Sequence, residues 1–453
     1  MTIKDQARKD IILGFTAFHE ISTAQLYGEF NDIEVANYVR ENTSGKITII
    51  DGVYVNHNVD NKIEASKLLT ETLLHNLRND FTYAIYCNTL LNYESQEVLS
   101  LLKLHGFKKI NVGNTNKEIY AVDMKFPICL TLDLERKIAR KFAEEKTVVE
   151  AIAKARTKLR EQLTLLYPNN LIIALNGEIL QQVLVEKLLS TIEAKGKKNN
   201  YEDYLCVPVG GFLSDNILEK ISTKSLLVEK IYNNDLSEFT IGEQPFQRPI
   251  EEQVQVISEF GKKILLVDDV MHNCFEISRV EELFKNKGVK IDHIVAGILS
   301  SNGKDTMETH GREVKYAYFI PNLQLWIRES MLYPFIGGNT VGYYQDNKKY
   351  LIPSVNQVLP YTTPEFSNES NRDKIYDLAK LCLDNAKDIY AAIEAEYNKI
   401  TGKKLALKDL WEIVEIPRCP IKGENIQYNY DGRITTFIEN DLNDLMKLEK
   451  IFK

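Results

Sequence analysis

The chain has 453 residues, 44% of them hydrophobic and 26% charged, a globular composition with enough length for two or three domains of roughly 100–200 residues each. That excludes a disordered tail protein, a collagen-like fibre and a small disulfide scaffold. With 56 Lys and Arg against 64 Asp and Glu, the formal net charge is −8, so no global positive field recruits nucleic acid, and no nucleic-acid partner is expected.

The first residues, MTIKDQARKDIILGF, are charged and lack the apolar stretch of a signal peptide. No run of about 18 apolar residues occurs without a charge, so neither a membrane span nor a membrane partner is expected, and the expected location is cytoplasmic. Residues 1–126 alternate short strands and helices. ITIIDGVYVNH (47–57) reads as a strand and KIEASKLLTETLLHNLR (62–78) as an amphipathic helix. YAIYCNTLL (83–91) is another strand, SQEVLSLLKLHGF (95–107) a helix stopped by Gly106, and EIYAVDM (118–124) a closing strand. Residues 127–165, with Glu and Lys or Arg often four apart, form a helical connector.

A second α/β domain spans 166–364. It opens with LIIAL (171–175) and the helix EILQQVLVEKLLSTIEAK (178–195). A parallel core follows, from YLCVPV (204–209), SLLVEKI (225–231), KKILLVDDV (262–270) and HIVAGIL (293–299). The run 232–252 reads as a long polar loop of the kind that serves as a lid, with Arg248 its only basic residue. SSNGKD (300–305) is a further loop after the strand HIVAGIL. A helical extension occupies 365–453. The six cysteines are scattered singly with no CxxC pair, which favours buried reduced thiols over zinc or redox motifs.

The sharpest chemical signal is KKILLVDDVMHNCFEISRVEELFKNKG (262–288). An apolar strand ends in the adjacent acids Asp268 and Asp269, and a short turn leads into an amphipathic helix. Ligands of open α/β sheets bind at the carboxyl ends of the strands. Two carboxylates there accept hydrogen bonds from sugar hydroxyls, while the free amides of the following helix start suit a phosphate. Upstream, VPVGGFLSDNI (207–217) places Gly210 and Gly211 in a turn and Ser214 and Asp215 near a helix start, where glycine lets a backbone approach a phosphate closely.

ILLVDDVM and the turn after it resemble the phosphoribosyl diphosphate (PRPP) loop of the type I phosphoribosyltransferases, in which a phosphate turn follows two acids. In that turn His272, Asn273, Cys274, Phe275 and Glu276 stand where the family usually has Thr, Thr, Gly, any residue and Thr. The resemblance implies a diphosphate loop at Gly210, Gly211 and Ser214, a basic residue against the diphosphate at Lys230, and a lid at 232–252 carrying Arg248. It also implies a 5′-phosphate turn at His272, Asn273 and Cys274, with Asp268 and Asp269 on the ribose hydroxyls. Mg²⁺ would be carried by PRPP itself, with no protein-only metal site and Asp268 as a candidate contact. Trp326 and Phe319, in an aromatic stretch beyond the last core strand, and Lys304, in the 300–305 loop, are candidates for touching the acceptor.

The N-terminal domain, with LLKLHGFKK before its last strand, resembles the second half of GNAT-type N-acetyltransferases. The stretch 57–66 lacks the glycines by which that family holds acyl-coenzyme A. The expected fold is therefore α/β: a parallel-sheet phosphoribosyltransferase-like core, a degenerate GNAT-like domain before it and a helical C-terminal extension. The expected function is transfer of phosphoribose between PRPP and an acceptor, or the reverse cleavage of a nucleotide, with Mg²⁺. A PRPP- or nucleotide-binding regulator without turnover and an acyltransferase with a nucleotide-binding partner domain remain open, as does a homo-oligomer.

Overall fold

The computed structural model describes residues 2–4, 12–56, 58–88, 93–113, 118–193, 201–213, 221–345, 348–364, 372–420 and 428–452. In chain order the first elements are β1 (Thr2–Lys4), β2 (Ile12–Ile21), α1 (Leu26–Phe30), α2 (Ile33–Asn42), β3 (Ile47–Val55) and α3 (Lys62–Asp80). Then come β4 (Tyr83–Asn88), α4 (Tyr93–Leu104), β5 (Lys108–Lys109), β6 (Glu118–Leu132), α5 (Leu134–Lys137), α6 (Arg140–Ala143) and α7 (Lys146–Leu166). β7 (Asn170–Asn176), α8 (Gly177–Glu193), β8 (Tyr204–Pro208), β9 (Ser222–Thr223), β10 (Val228–Tyr232), β11 (Phe239–Glu243) and α9 (Ile250–Ser258) follow. The rest are β12 (Lys263–Met271), α10 (Phe275–Asn286), β13 (Ile291–Leu299), α11 (Ser301–Thr309), β14 (Val314–Phe319), β15 (Leu325–Arg328), β16 (Asn339–Gln345), β17 (Lys348–Val355), α12 (Arg372–Thr401) and α13 (Ile434–Phe452).

The chain divides into two compact units. The first comprises residues 1–130, 153–174 and 324–326; the second takes 131–152, 175–323 and 327–453. The first unit is built on a mixed sheet in the order β1-β2-β3-β4-β6-β15, to which β5 and β7 add on β6. β3 and β4 run parallel, joined by the amphipathic α3, while β6 returns antiparallel to β4. Asn61 caps α3, its side chain accepting from the Glu64 amide at 3.2 Å. Val35, Ala36 and Val39 of α2 close one core against Ile47, Ile49 and Ile85 of the sheet. The strand LIIAL lies here, as part of β7 against β6, and does not open the parallel core. An apolar run specifies a strand without naming the sheet it joins.

The second unit carries a five-stranded sheet in the order β14-β13-β12-β8-β9, parallel at every pairing. β12 is its central strand and is apolar on both faces up to Val267, as a strand covered on both sides must be. Two of the sequence expectations are corrected here. The segment 225–231 is not a strand of the parallel core: β10 belongs to a separate four-stranded sheet, β11-β10-β16-β17. The run 232–252 is not a loop: β11 pairs antiparallel with β10 from Val228↔Glu243 to Tyr232↔Phe239, and α9 starts at Ile250. SSNGKD likewise is a helix start, where the Ser300 hydroxyl accepts from the Gly303 amide at 3.1 Å.

Beyond these sheets α12 and α13 pair as the helical C-terminal segment. Lys387 and Glu439 meet across them at 2.8 Å, and Glu394 accepts from the Thr435 amide at 3.1 Å. All six cysteines are free thiols, four of them buried. Among the described residues no helix is long and apolar enough to cross a membrane.

Candidate functional site

Asp268 and Asp269 stand near the carboxyl end of β12, 4% and 8% exposed, in the position where open parallel sheets take ligands. Successive strand residues face opposite sides, and the two carboxylates accordingly have different partners. Asp269 is saturated: Oδ1 accepts from the Val270 amide at 2.9 Å, and Oδ2 accepts from Arg328 Nη2 at 2.5 Å. Asp268 accepts from the Asp269 amide at 3.0 Å through Oδ1 and retains Oδ2 without a hydrogen-bond partner among the described residues. Burial first, then the charges of Asp269 and Glu276, hold the Asp268 carboxyl well above the usual carboxylate range.

Arg328 leaves the end of β15 toward the acids. Its Nε lies 3.8 Å from Asp133 Oδ2, and the charges of Asp269, Asp133 and Glu276 push its pKa upward against the opposing effect of burial. Asp133 is itself buried and tied to the chain that follows Arg328: its carboxylate accepts from the Ser330 amide at 2.9 Å and from the Ser330 hydroxyl at 2.8 Å.

The turn after β12 is built by backbone, and its side chains are turned toward the next helix start. Cys274 sits at φ 56° in the left-handed region, which starts α10 at Phe275. His272 Nδ1 lies 2.9 Å from the Ser300 hydroxyl, Asn302 Nδ2 donates to the His272 carbonyl at 2.9 Å and to Asn273 Oδ1 at 3.2 Å, and the Cys274 thiol faces the Gly303 carbonyl at 3.5 Å. Gly303 is required by this closeness, since a Cβ there would stand 2.2 Å from the Met271 carbonyl oxygen. Burial lowers the His272 pKa, and it pushes the Cys274 thiol up to about 11. Neither is a cation or a thiolate at neutral pH. What the turn offers a phosphate is the first-turn amides of α10, which have no intrahelical acceptor.

Glu276 stands in that first turn, half-buried. Burial, followed by the charge of Asp269, raises its pKa to about 7, against the opposing pull of Arg328 and Lys230. Around it the hairpin β10–β11 supplies aromatic and basic groups. Phe239 and Phe275 meet edge to face at 5.6 Å, and Lys230 Nζ stands 4.7 Å over the Phe239 ring. Its neighbour Glu229 faces the other way, where Arg418 Nη2 donates to it at 2.7 Å.

The glycine turn follows β8. Gly210 and Gly211 have φ of +70° and +73°, which only glycine adopts without strain in succession. Its next residue, Phe212, is anchored through its carbonyl, which accepts from Arg136 Nη2 at 2.6 Å and from the Gln181 side-chain amide. Ser214 and Asp215 lie outside the described residues, as does His57.

The remaining sequence candidates have other partners. Arg248 is exposed ahead of α9, with only its carbonyl engaged, by Gln253 Nε2 at 2.7 Å. Lys304 pairs with Glu308 at 3.6 Å one turn along α11. Phe319 packs beside Tyr316 with ring centroids 5.3 Å apart and against the second unit's core, and Trp326 belongs to the first unit. Sequence reasoning missed Arg328, which meets Asp269 only through the tertiary fold, and the pair Asp133 and Arg136, which reach Arg328 and the Phe212 carbonyl. Their one local signal is the charge of LTLDLER (130–136) immediately after an apolar strand.

No family model and no curated protein matches the chain. The reading of the site therefore rests on its own geometry. Among the described residues no group of three or more His, Cys, Asp or Glu side chains is arranged to hold a metal ion. A magnesium ion carried on a ligand's phosphates needs only one or two hard carboxylate oxygens from protein, and among the described residues Asp268 Oδ2 and the Glu276 carboxyl have no hydrogen-bond partner.

Proposed function

We propose that this protein binds PRPP at the carboxyl end of β12 and transfers its phosphoribosyl group to an acceptor. The observation that carries the reading is the unsaturated carboxylate of Asp268 beside the open amides of α10, with the glycine turn at 210–211 in the same unit. Hydroxyl-accepting oxygen and phosphate-donating amides side by side are what a phosphorylated pentose requires.

In the reaction the acceptor's nucleophile forms a bond to the anomeric carbon as the bond to diphosphate breaks, and the electron pair leaves with the diphosphate. Asp268 Oδ2 accepts from a ribose hydroxyl and fixes the ring in the geometry of displacement. Asp269, neutralised by Arg328, orients its neighbour. Lys230 is the mobile cation of the site and stabilises the departing diphosphate, with Phe239 as its resting platform. Magnesium on the diphosphate supplies further charge neutralisation for the leaving group. The β10–β11 hairpin packs Phe239 edge to face on Phe275 at the start of α10 and so brings Lys230 to that side of the site.

A second reading, a PRPP-binding regulator without turnover, is favoured by one feature. His272, Asn273 and Cys274 are spent on the 300–303 helix start, so the phosphate turn has lost side-chain donors. Diphosphate release in the presence of PRPP, Mg²⁺ and a panel of nitrogen heterocycles and aromatic acids separates the two. Release with one acceptor class supports transfer. Saturable PRPP binding with no release under any acceptor supports the regulator, and absence of binding rejects both.

A further inference from the structure

We infer that Asp133 and Arg136, on the short segment that opens α5, are the positioning residues of this site: one side chain sets the acid pair and the other sets the glycine turn. The inference rests on the phosphoribose reading above and deepens it.

The segment 133–136 reaches both halves of the site with opposite charges. Asp133 sits just ahead of α5, 4% exposed. It holds Arg328 on one side, at 3.8 Å from Nε, and fixes the backbone after it through Ser330. Arg328 in turn occupies Asp269 Oδ2. These contacts engage both oxygens of Asp269, while Asp268 Oδ2 has no hydrogen-bond partner among the described residues. One turn along, Arg136 points to the other half. Its Nη2 donates to the Phe212 carbonyl at 2.6 Å, and its guanidinium lies 5.1 Å over the Phe212 ring. That double grip fixes the residue immediately after Gly210 and Gly211, whose left-handed backbone would otherwise have many alternatives.

A third element closes the frame. Gln181 of α8 donates to the same Phe212 carbonyl. α8 starts at Gly177, where a Cβ would stand 2.8 Å from the Leu132 carbonyl oxygen, so helix and segment are in backbone contact. Both Asp133 oxygens are engaged by Ser330, and Arg136 is committed through Nη2 to the Phe212 carbonyl. Both act through others, Asp133 through Arg328 and Asp269, Arg136 through Phe212. A displacement of about 1 Å in either half is enough to cost up to about 100-fold in a reaction that depends on alignment, which is why two separated loops need a common brace.

The test is calorimetric titration of the full chain with PRPP and Mg²⁺, well below the melting temperature of each variant. Asp133→Asn and Arg136→Met are expected to weaken binding about tenfold each, with Arg136→Lys, which keeps a donor for the Phe212 carbonyl, recovering part of the loss. Double-variant cycles separate positioning from loss of stability. Asp133→Asn combined with Asp269→Asn should cost no more than Asp269→Asn alone, because both break one chain. Asp133→Asn combined with Arg136→Met should multiply, because the arms are separate. If Asp133→Asn does not fold, Arg328→Lys tests the same arm and should give a comparable loss. Single variants that bind within twofold of wild type, or an additive Asp133–Asp269 cycle, overturn the inference while leaving the phosphoribose reading intact. A wild-type protein that does not bind PRPP removes both.

Discussion

Two of the charged clusters among the described residues, one in each unit, are resolved in different ways. In the first unit Arg160 donates from Nη2 to His105 Nε2 at 2.9 Å, His105 meets the Ile172 carbonyl through Nδ1 at 2.7 Å, and Glu71 lies 3.7 Å from Arg160 Nη1. The carbonyl fixes the proton on Nδ1, and burial followed by the charge of Arg160 depresses the His105 pKa to about 3. Here one cation, Arg160, stands between one acid and a neutral imidazole, so the charges match one to one. In the second unit Asp133, Asp268, Asp269 and Glu276 surround Arg328. Acids outnumber the one cation, the Asp268 and Glu276 carboxyls are raised, and among the described residues neither Asp268 Oδ2 nor the Glu276 carboxyl has a hydrogen-bond partner. Burial alone therefore does not mark a site. A charge imbalance at a strand end does, because a ligand with hydroxyls or a cation is what would complete it.

The sharpest way to break the contrast is to remove the excess. Asp268→Asn together with Asp269→Asn should abolish PRPP binding in calorimetric titration, with the circular dichroism of the folded protein retained, since both acids lie at a strand end. The single change Asp268→Asn, which replaces an acceptor oxygen with a donor amide, should weaken binding about 10- to 100-fold. In the first-unit cluster the same kind of change acts on stability instead. Arg160→Met leaves the buried His105 without its donor and the half-buried Glu71 without its cation and should cost about 1–3 kcal/mol, read as a lower first-unit melting transition, with PRPP affinity at low temperature unchanged.

Lys230→Ala sharpens the assignment within the open cluster. It should slow turnover about tenfold or more while changing PRPP affinity less, because the leaving group's charge develops in the transition state; equal losses in both would make Lys230 a simple binding residue. The smallest effect concerns protons. The Glu276 carboxyl rises from 4.5 to about 7 on folding, so the folded chain binds its proton more tightly than the unfolded one. The linked stability is present below pH 4.5 and lost as pH rises toward 7. Thermal melts across that range should show this decline in wild type and a shallower one in Glu276→Gln.

Much of the site was legible in the sequence because its signal is local. An apolar run, two acids, a short turn and an amphipathic repeat lie within 262–288 and fold as β12, its turn and α10. Gly210 and Gly211 were legible for the same reason, a backbone demand written in one residue type. Long-range choices were not. SLLVEKI reads as a strand, and only the pairing of β10 with β11 and β16 decides that it leaves the parallel core. In 232–252 the alternation of FTIGE is hidden by polar neighbours, so a hairpin reads as a loop. Asp133 and Arg328 carry no motif, because an ion pair across the fold needs only charge at each end.

The measurement that tests the central claim most directly is calorimetric titration of the purified chain with PRPP and Mg²⁺, beside the Asp268→Asn variant. Saturable one-site binding by wild type, weakened at least tenfold in the variant, is the predicted result. Equal binding by the two proteins, or none by wild type, would contradict the assignment of the β12 strand end as a phosphoribose site.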